Sequence, residues 1–336
     1  MVLPWGPGVA TGVGSLPFHD RDEAAKVVVG ELPDFVHLPE LPERGAGADM
    51  VGRTAAMLVD LHVDLQPSGW RLVDRRGRDE RRAVEMLRAD VDAMEIAAHG
   101  YEGPLKVQVT GPLTLAAALD RSRGDRVLAD HGAHRDLAHS LAEGLAAHVA
   151  EVARRVPGAK VVAQIDEPGL PAVLAGAIPT SSGFGRLRTV QAAEAESLLA
   201  IVIAAAGEWP VLHCCAGDAP VALARRAGAV AVSLDVGRLD DTVVDELAPT
   251  VDAGLMLWPG IVPVVVPVSA PADRELAERV ERLCRRLDQD PAHLSAGLVV
   301  TPACGLAGAD PGWARRAYAL ARATARAFAD SVGADQ

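Results

Sequence analysis

Short apolar runs recur along the chain, separated by longer segments whose apolar residues fall at helical spacing. The runs are VATGVGS (9–15), DFVHLPE (34–40), PLKVQVTG (104–111), AKVVAQID (159–166), WPVLHCC (209–215), GAVAVSLD (228–235), GLMLWPG (254–260) and GLVVTPAC (297–304). The clearest helical patterns cover 81–100, 133–156, 190–206, 217–227, 238–247, 271–287 and 310–331. Strands alternating with helices predict βαβ units and a parallel sheet. No G-x-G-x-x-G follows the first run, so a dinucleotide-binding fold is disfavoured. The pattern predicts the α/β class: one (β/α)8 TIM-type barrel spanning residues 1–336. A polar excursion is expected at 66–80, and a flexible tail from about Ala329.

The ends of these runs carry reactive side chains. Ser15, Glu40, Asp166, His213 with Cys215, Asp235 and Cys304 all lie at or near a run's C-terminal end. Active sites of such barrels gather at the C-terminal ends of the strands.

Composition narrows the class. The chain has 336 residues, 49% hydrophobic and only 3% aromatic, so Val, Leu and Ala must build the core. A net charge of −12 without basic clustering argues against nucleic acid and anionic membranes. No apolar run is long enough to span a bilayer. The N-terminus lacks a basic segment followed by an apolar stretch, and it reads as mature and cytoplasmic. The four cysteines, Cys214, Cys215, Cys284 and Cys304, are too few for a disulfide framework in a chain of this size.

Two of them adjoin a histidine in VLHCCAGD (211–218). Strand side chains alternate, so His213 and Cys215 share a side and Cys214 faces the other way. Thiolate, imidazole and carboxylate are zinc ligands. In a closed barrel Asp235 and Cys304 would converge on the same mouth. A buried histidine among buried cysteines fits the same residues, and H-x-C by itself does not separate the two readings.

At this point the chain resembles a known family. VGSLP (13–17), QIDEP (164–168), HCCAGD (213–218) and TPACGL (301–306) are similar, in order, to segments of cobalamin-independent methionine synthase, specifically its C-terminal catalytic barrel. PELPER (39–44), ADMV (48–51), SGW (68–70) and VTGPLTL (109–115) are weaker echoes. The resemblance covers most of the chain and implies Zn2+ bound by His213, Cys215 and Cys304. Asp235 stands where the family has a glutamate ligand. It also implies that Val13, Gly14 and Ser15 hold the homocysteine carboxylate, and that Asp166 and Glu40 hold its amino group. Zinc would keep the homocysteine thiol reactive for methylation to methionine.

The resemblance fails on the donor side. The family's tryptophan, glutamate and catalytic histidine are replaced by Ala118, Ala172 and Val265. Loss of a proton donor for a folate leaving group suggests a methylcorrinoid, free or on a partner protein, in place of methyltetrahydrofolate. Three other readings compete. One is a zinc methyltransferase for another thiol such as coenzyme M. Another is a uroporphyrinogen-decarboxylase-like barrel, for which Arg71, Arg75, Arg76 and Arg78 would be the basic cluster. The last is a non-enzymatic zinc or thiol binder. His19 and His37 near the mouth, and Trp70 in the excursion, are read first as structural. Cys284 is read as core filler.

Overall fold

The computed structural model describes residues 2–334. Its strands are β1 (Val9–Ala10), β2 (Val36–His37), β3 (His62–Gln66), β4 (Gly69–Val73), β5 (Pro104–Thr110), β6 (Lys160–Asp166), β7 (Pro210–Cys214), β8 (Ala231–Asp235), β9 (Met256–Val262) and β10 (Val299–Pro302). Eight of them form one parallel sheet in the order β1-β10-β9-β8-β7-β6-β5-β2. The two end strands meet just beyond their ends, through a parallel bridge between Ser15 and Glu40. There Leu16 donates to the Glu40 carbonyl at 2.9 Å and Glu40 donates to the Gly14 carbonyl at 3.1 Å. The sheet is therefore drawn into the expected (β/α)8 ring, with the helices outside.

Alternation sorts the strand residues into two environments. Val162, Val211, Ala231 and Val299 point inward, where they pack with Trp5, Phe35 and Trp258 in one small core. The three rings lie 5.3–5.5 Å apart and plug the N-terminal end of the barrel. Their sequence neighbours Val161, Leu212, Val232 and Val300 face outward into the large core under the helices. Higher in the barrel the inward positions turn polar: Lys106, Gln108, Gln164, Asp166, His213 and Ser233 are all buried.

The expected excursion is present, with different bounds: residues 62–73 form the antiparallel hairpin β3–β4 outside the main sheet, and a helix starts at Arg78. Trp70 is buried against the main core, and Leu72 donates to the Asp120 carbonyl at 2.8 Å, so the hairpin is pinned. Trp70 is therefore structural. The last helix runs Pro311–Ala334, so the expected tail from about Ala329 begins within it, and residues 335 and 336 lie outside the described residues. Phe328 is buried, and the Ser331 hydroxyl donates to Glu281 at 2.9 Å, which ties this end to the helix Asp273–Arg286. Short helices at 21–31, 50–55, 112–118, 170–174 and 291–295 were not among the patterns singled out; most are too short to show a helical period.

Candidate metal and substrate site

The C-terminal ends of the strands surround a cavity of about 410 Å3. Its walls include Val13, Ser15, Glu40, Asp166, His213, Cys215 and Cys304. Seven of the predicted site residues thus share one space, from segments nearly 300 positions apart.

His213, Cys215 and Cys304 offer ligand atoms that all lie within 4.8 Å of one another. His213 sits on β7, and its Nδ1 meets the Ser233 hydroxyl of the neighbouring β8 at 3.1 Å. With Nδ1–H donated to that oxygen, the Nε2 lone pair is free and faces the Cys304 sulfur at 4.0 Å. Zinc bonds of about 2.3 Å to sulfur and about 2.0 Å to nitrogen put tetrahedral ligand atoms about 3.6 Å apart. The donor set, the spacing and the serine that orients the imidazole all fit zinc. The Cys215 thiol is pushed down to about 4, first by the hydrogen bond from the Cys304 thiol and then by that of His213. The Cys304 thiol is raised by the same pairing. Cys214 is fully buried in the outer core, and burial pushes its thiol up to about 12.

Asp235 does not join this group. It ends β8, and its Oδ1 accepts from the Gly237 backbone at 2.9 Å, capping the turn that follows. The aspartate is one methylene shorter than the glutamate of the resembled pattern, and its carboxylate serves the backbone instead.

His131, His134 and Glu194 form a second compact group. Here Glu194 Oε1 already bonds His131 Nδ1 at 2.6 Å and His134 Nε2 at 2.9 Å, and the Arg188 guanidinium presses on His131. The group sits in the first turns of the helices His131–Arg155 and Ala192–Ala205, where the helix dipoles oppose a cation. It acts as a clasp between those helices.

Opposite the thiols, Glu40 and Asp166 are both at least nine-tenths buried. Burial raises Glu40 to about 7, against the pull of Arg53, whose Nε lies 3.6 Å from Glu40 Oε1. Burial also raises Asp166, whose Oδ1 accepts from Gln164 at 2.7 Å. The segment 13–15 turns its carbonyls away: the Val13 oxygen accepts from Lys106 and Gln164, Gly14 from Glu40, and Ser15 from Leu306. The amides of Gly14 and Ser15 donate to no protein acceptor among the described residues. The Ser15 hydroxyl packs so closely on Gly305 that a Cβ there would fall 2.0 Å from its oxygen. Should Ser15 hold the homocysteine carboxylate, as the resemblance implies, Gly305→Ala would displace that hydroxyl and weaken homocysteine binding by about tenfold, which calorimetric titration checks.

Several residues of the site were missed. Asp49 and Met50 line the cavity at the start of the helix Met50–Ala55, where Asp49 is the N-cap. ADMV carried this signal, though no chemistry was read from it. Lys106, Arg53 and Asp90 are buried charges near or behind the wall. A lysine amid PLKVQV, one of only three in the chain, was the available clue. The glutamate of QIDEP is structural: Glu167 accepts the Leu113 and Thr114 amides, each at 2.9 Å, and caps the helix Pro112–Ala118. His37 is also structural, bonded to the Tyr318 hydroxyl at 2.8 Å. His19 is exposed and pairs with Glu43. Cys284 is buried in the core as expected. Ala118, Ala172 and Val265 do not line the cavity, and Val265 is exposed.

The family model described as "Cobalamin-independent synthase, Catalytic domain" matches residues 9–327. No curated protein matches the chain. Among solved structures, a B12-independent methionine synthase from Shewanella sp. W3-18-1, in complex with selenomethionine, shares 13% identity over 98% of each chain, with a TM-score of 0.58. A methyltransferase from Methanosarcina mazei shares 12% identity over 98% of this chain and 95% of its own, also at 0.58. At such identities the likeness is one of fold. The descriptions run against the expected methylcorrinoid donor. A missing proton donor does not select a corrinoid, because any leaving group that departs without a proton meets the same condition. Among the described residues no helix is long and apolar enough to cross a membrane.

Proposed function

This chain belongs to the cobalamin-independent methionine synthase family, represented by its catalytic domain, and is a methyltransferase; from that premise we propose that it methylates the thiol of homocysteine at a zinc centre to give methionine. The observation that carries the reading is the shared cavity: two thiols and an imidazole face it beside two buried carboxylates and a segment with free amides.

His213, Cys215 and Cys304 are the proposed zinc ligands, leaving a fourth position open as catalytic zinc sites do. Zinc held there would supply the Lewis acidity that keeps a substrate thiol deprotonated at neutral pH. Ser233 orients the His213 ring so that Nε2 faces the ligand group. Glu40 and Asp166 accept hydrogen bonds from the substrate ammonium. The Gly14 and Ser15 amides and the Ser15 hydroxyl donate to its carboxylate. Pro42, Met50 and Pro168 add apolar surface to the cavity wall. A lone pair of the thiolate then forms the S–CH3 bond as the bond from methyl to its donor breaks, and the electrons of that broken bond leave on the donor. The selenomethionine of the Shewanella relative is the selenium analogue of the proposed product.

Cobalt(II)-substituted protein tests the acceptor without a donor. Homocysteine is expected to add sulfur-to-cobalt charge-transfer absorption, and homoserine to add none. Absence of any spectral response to homocysteine would overturn the assignment.

A further inference from the structure

The cavity wall poses an electrostatic problem. It carries Glu40, Asp166 and Asp49, yet no lysine or arginine lines it. The amino-acid substrate of the proposed function, on which this inference rests, brings a carboxylate as well as an ammonium. That carboxylate has only backbone amides and one hydroxyl to meet it.

A cation does stand behind those amides. Lys106 projects from β5 into the barrel and is fully buried. Its Nζ donates to the Val13 carbonyl at 2.8 Å. With the Gln108 amide turned to satisfy its neighbours, Nζ also meets its oxygen at 3.0 Å. Gln164 Nε2 donates to the same Val13 carbonyl at 2.9 Å. The peptide that carries the Val13 oxygen carries the Gly14 N–H at its other end.

We propose that Lys106 is a positioning residue for the substrate carboxylate, acting through the Val13–Gly14 peptide. The ammonium fixes that peptide with its carbonyl inward, which leaves the Gly14 and Ser15 amides for the ligand. A charged donor on the carbonyl also polarises the peptide and strengthens the hydrogen bond given by its N–H. The positive charge lies at one remove from the carboxylate, shielded from direct contact, while Glu40 and Asp166, which line the cavity, face the ammonium end. The zwitterion is thereby read in one orientation, with the thiol end left toward Cys215 and Cys304. The other buried cation, Arg53, serves the carboxylate side: it donates to Asp90 at 2.9 Å and its Nε lies 3.6 Å from Glu40.

The test compares homocysteine with 3-aminopropane-1-thiol, which lacks only the carboxylate, on cobalt(II)-loaded full-length protein. Wild type is expected to prefer homocysteine. In Lys106→Met that preference should fall by about tenfold or more, since a hydrogen bond to a charged group is worth about that much, while binding of the aminothiol and cobalt content hold. Lys106→Gln keeps a neutral donor near the Val13 carbonyl and should fall between the two. It also carries the test alone if Lys106→Met does not fold. A merely structural lysine predicts that both thiols weaken together; an unchanged ratio overturns the proposal, as does a wild type with no preference. Wild type that binds neither thiol overturns the proposed function, and this inference with it.

Discussion

Cys215→Ser is expected to lose its metal, and Cys214→Ser to keep it. The two positions are adjacent, equal in chemistry and opposite in direction. Cys215 faces the cavity with His213 and Cys304, whereas Cys214 is buried in the outer core. Zinc prefers thiolate to hydroxyl. Removing even a group that only supports a ligand costs about 10–100-fold in affinity, so loss of a ligand should exceed about 100-fold. Metal per chain, measured after gel filtration under reducing, chelator-free conditions, should drop from about one to near zero in Cys215→Ser. Methionine formation should fall with it. Asp235→Ala belongs in the same series and should retain the metal, because its carboxylate caps a turn. Retention of metal by Cys215→Ser would remove the proposed centre, and loss in Asp235→Ala would restore a fourth protein ligand.

Asp90→Ala is expected to cause the largest loss of stability. Asp90 lies in the helix Arg78–Ala97 and is buried, and one oxygen accepts from both Arg53 and Arg44, at 2.9 and 2.7 Å. Arg53 is 1% exposed and cannot shed its proton. Without Asp90 its nearest carboxylate is Glu40, at 3.6 Å. Breaking a buried pair from one side costs about 3–5 kcal/mol, because the remaining charge stays buried and unpaired. For a chain of this size that is a fall of roughly 4–7 °C in Tm. Replacing both partners with leucine should recover much of the loss. A second consequence reaches the site: an unpaired Arg53 draws on Glu40 and would weaken the hold on the ammonium proposed for it. Denaturant unfolding of the single and double variants checks the energy. A single variant within 1 kcal/mol of wild type would show that the pair is already hydrated.

Local pattern carried a large part of this protein. All eight barrel strands were legible because a strand buried on both faces reads as a short apolar run. The grouping of His213, Cys215 and Cys304, the proposed metal ligands, was legible because these residues sit at strand ends. His213 and Cys215 share a strand and differ by two residues, so the strand's period alone puts them on one side. The hairpin at 62–73 was blurred by the charged stretch that follows it, and the final helix ran on because Phe328 and Ser331 find partners across the surface. The resemblance over VGSLP and QIDEP marked Ser15 and Asp166, and with them Asp235, whose Oδ1 caps a turn outside the compact group of His213, Cys215 and Cys304.

The amino-acid sequence therefore determined the barrel, the order of its strands and which side of each strand carries reactive groups, since these depend on periods of two and 3.6. Only the closed ring decided which of those groups meet. Val13, Lys106 and Gln164 are far apart in the chain, and their contacts depend on strand register and on the Ser15–Glu40 bridge. The same closure decided that a lysine amid apolar residues became a buried charge behind the cavity wall. Distances of this kind are set by the summed stagger of the strands, which no local stretch of sequence contains.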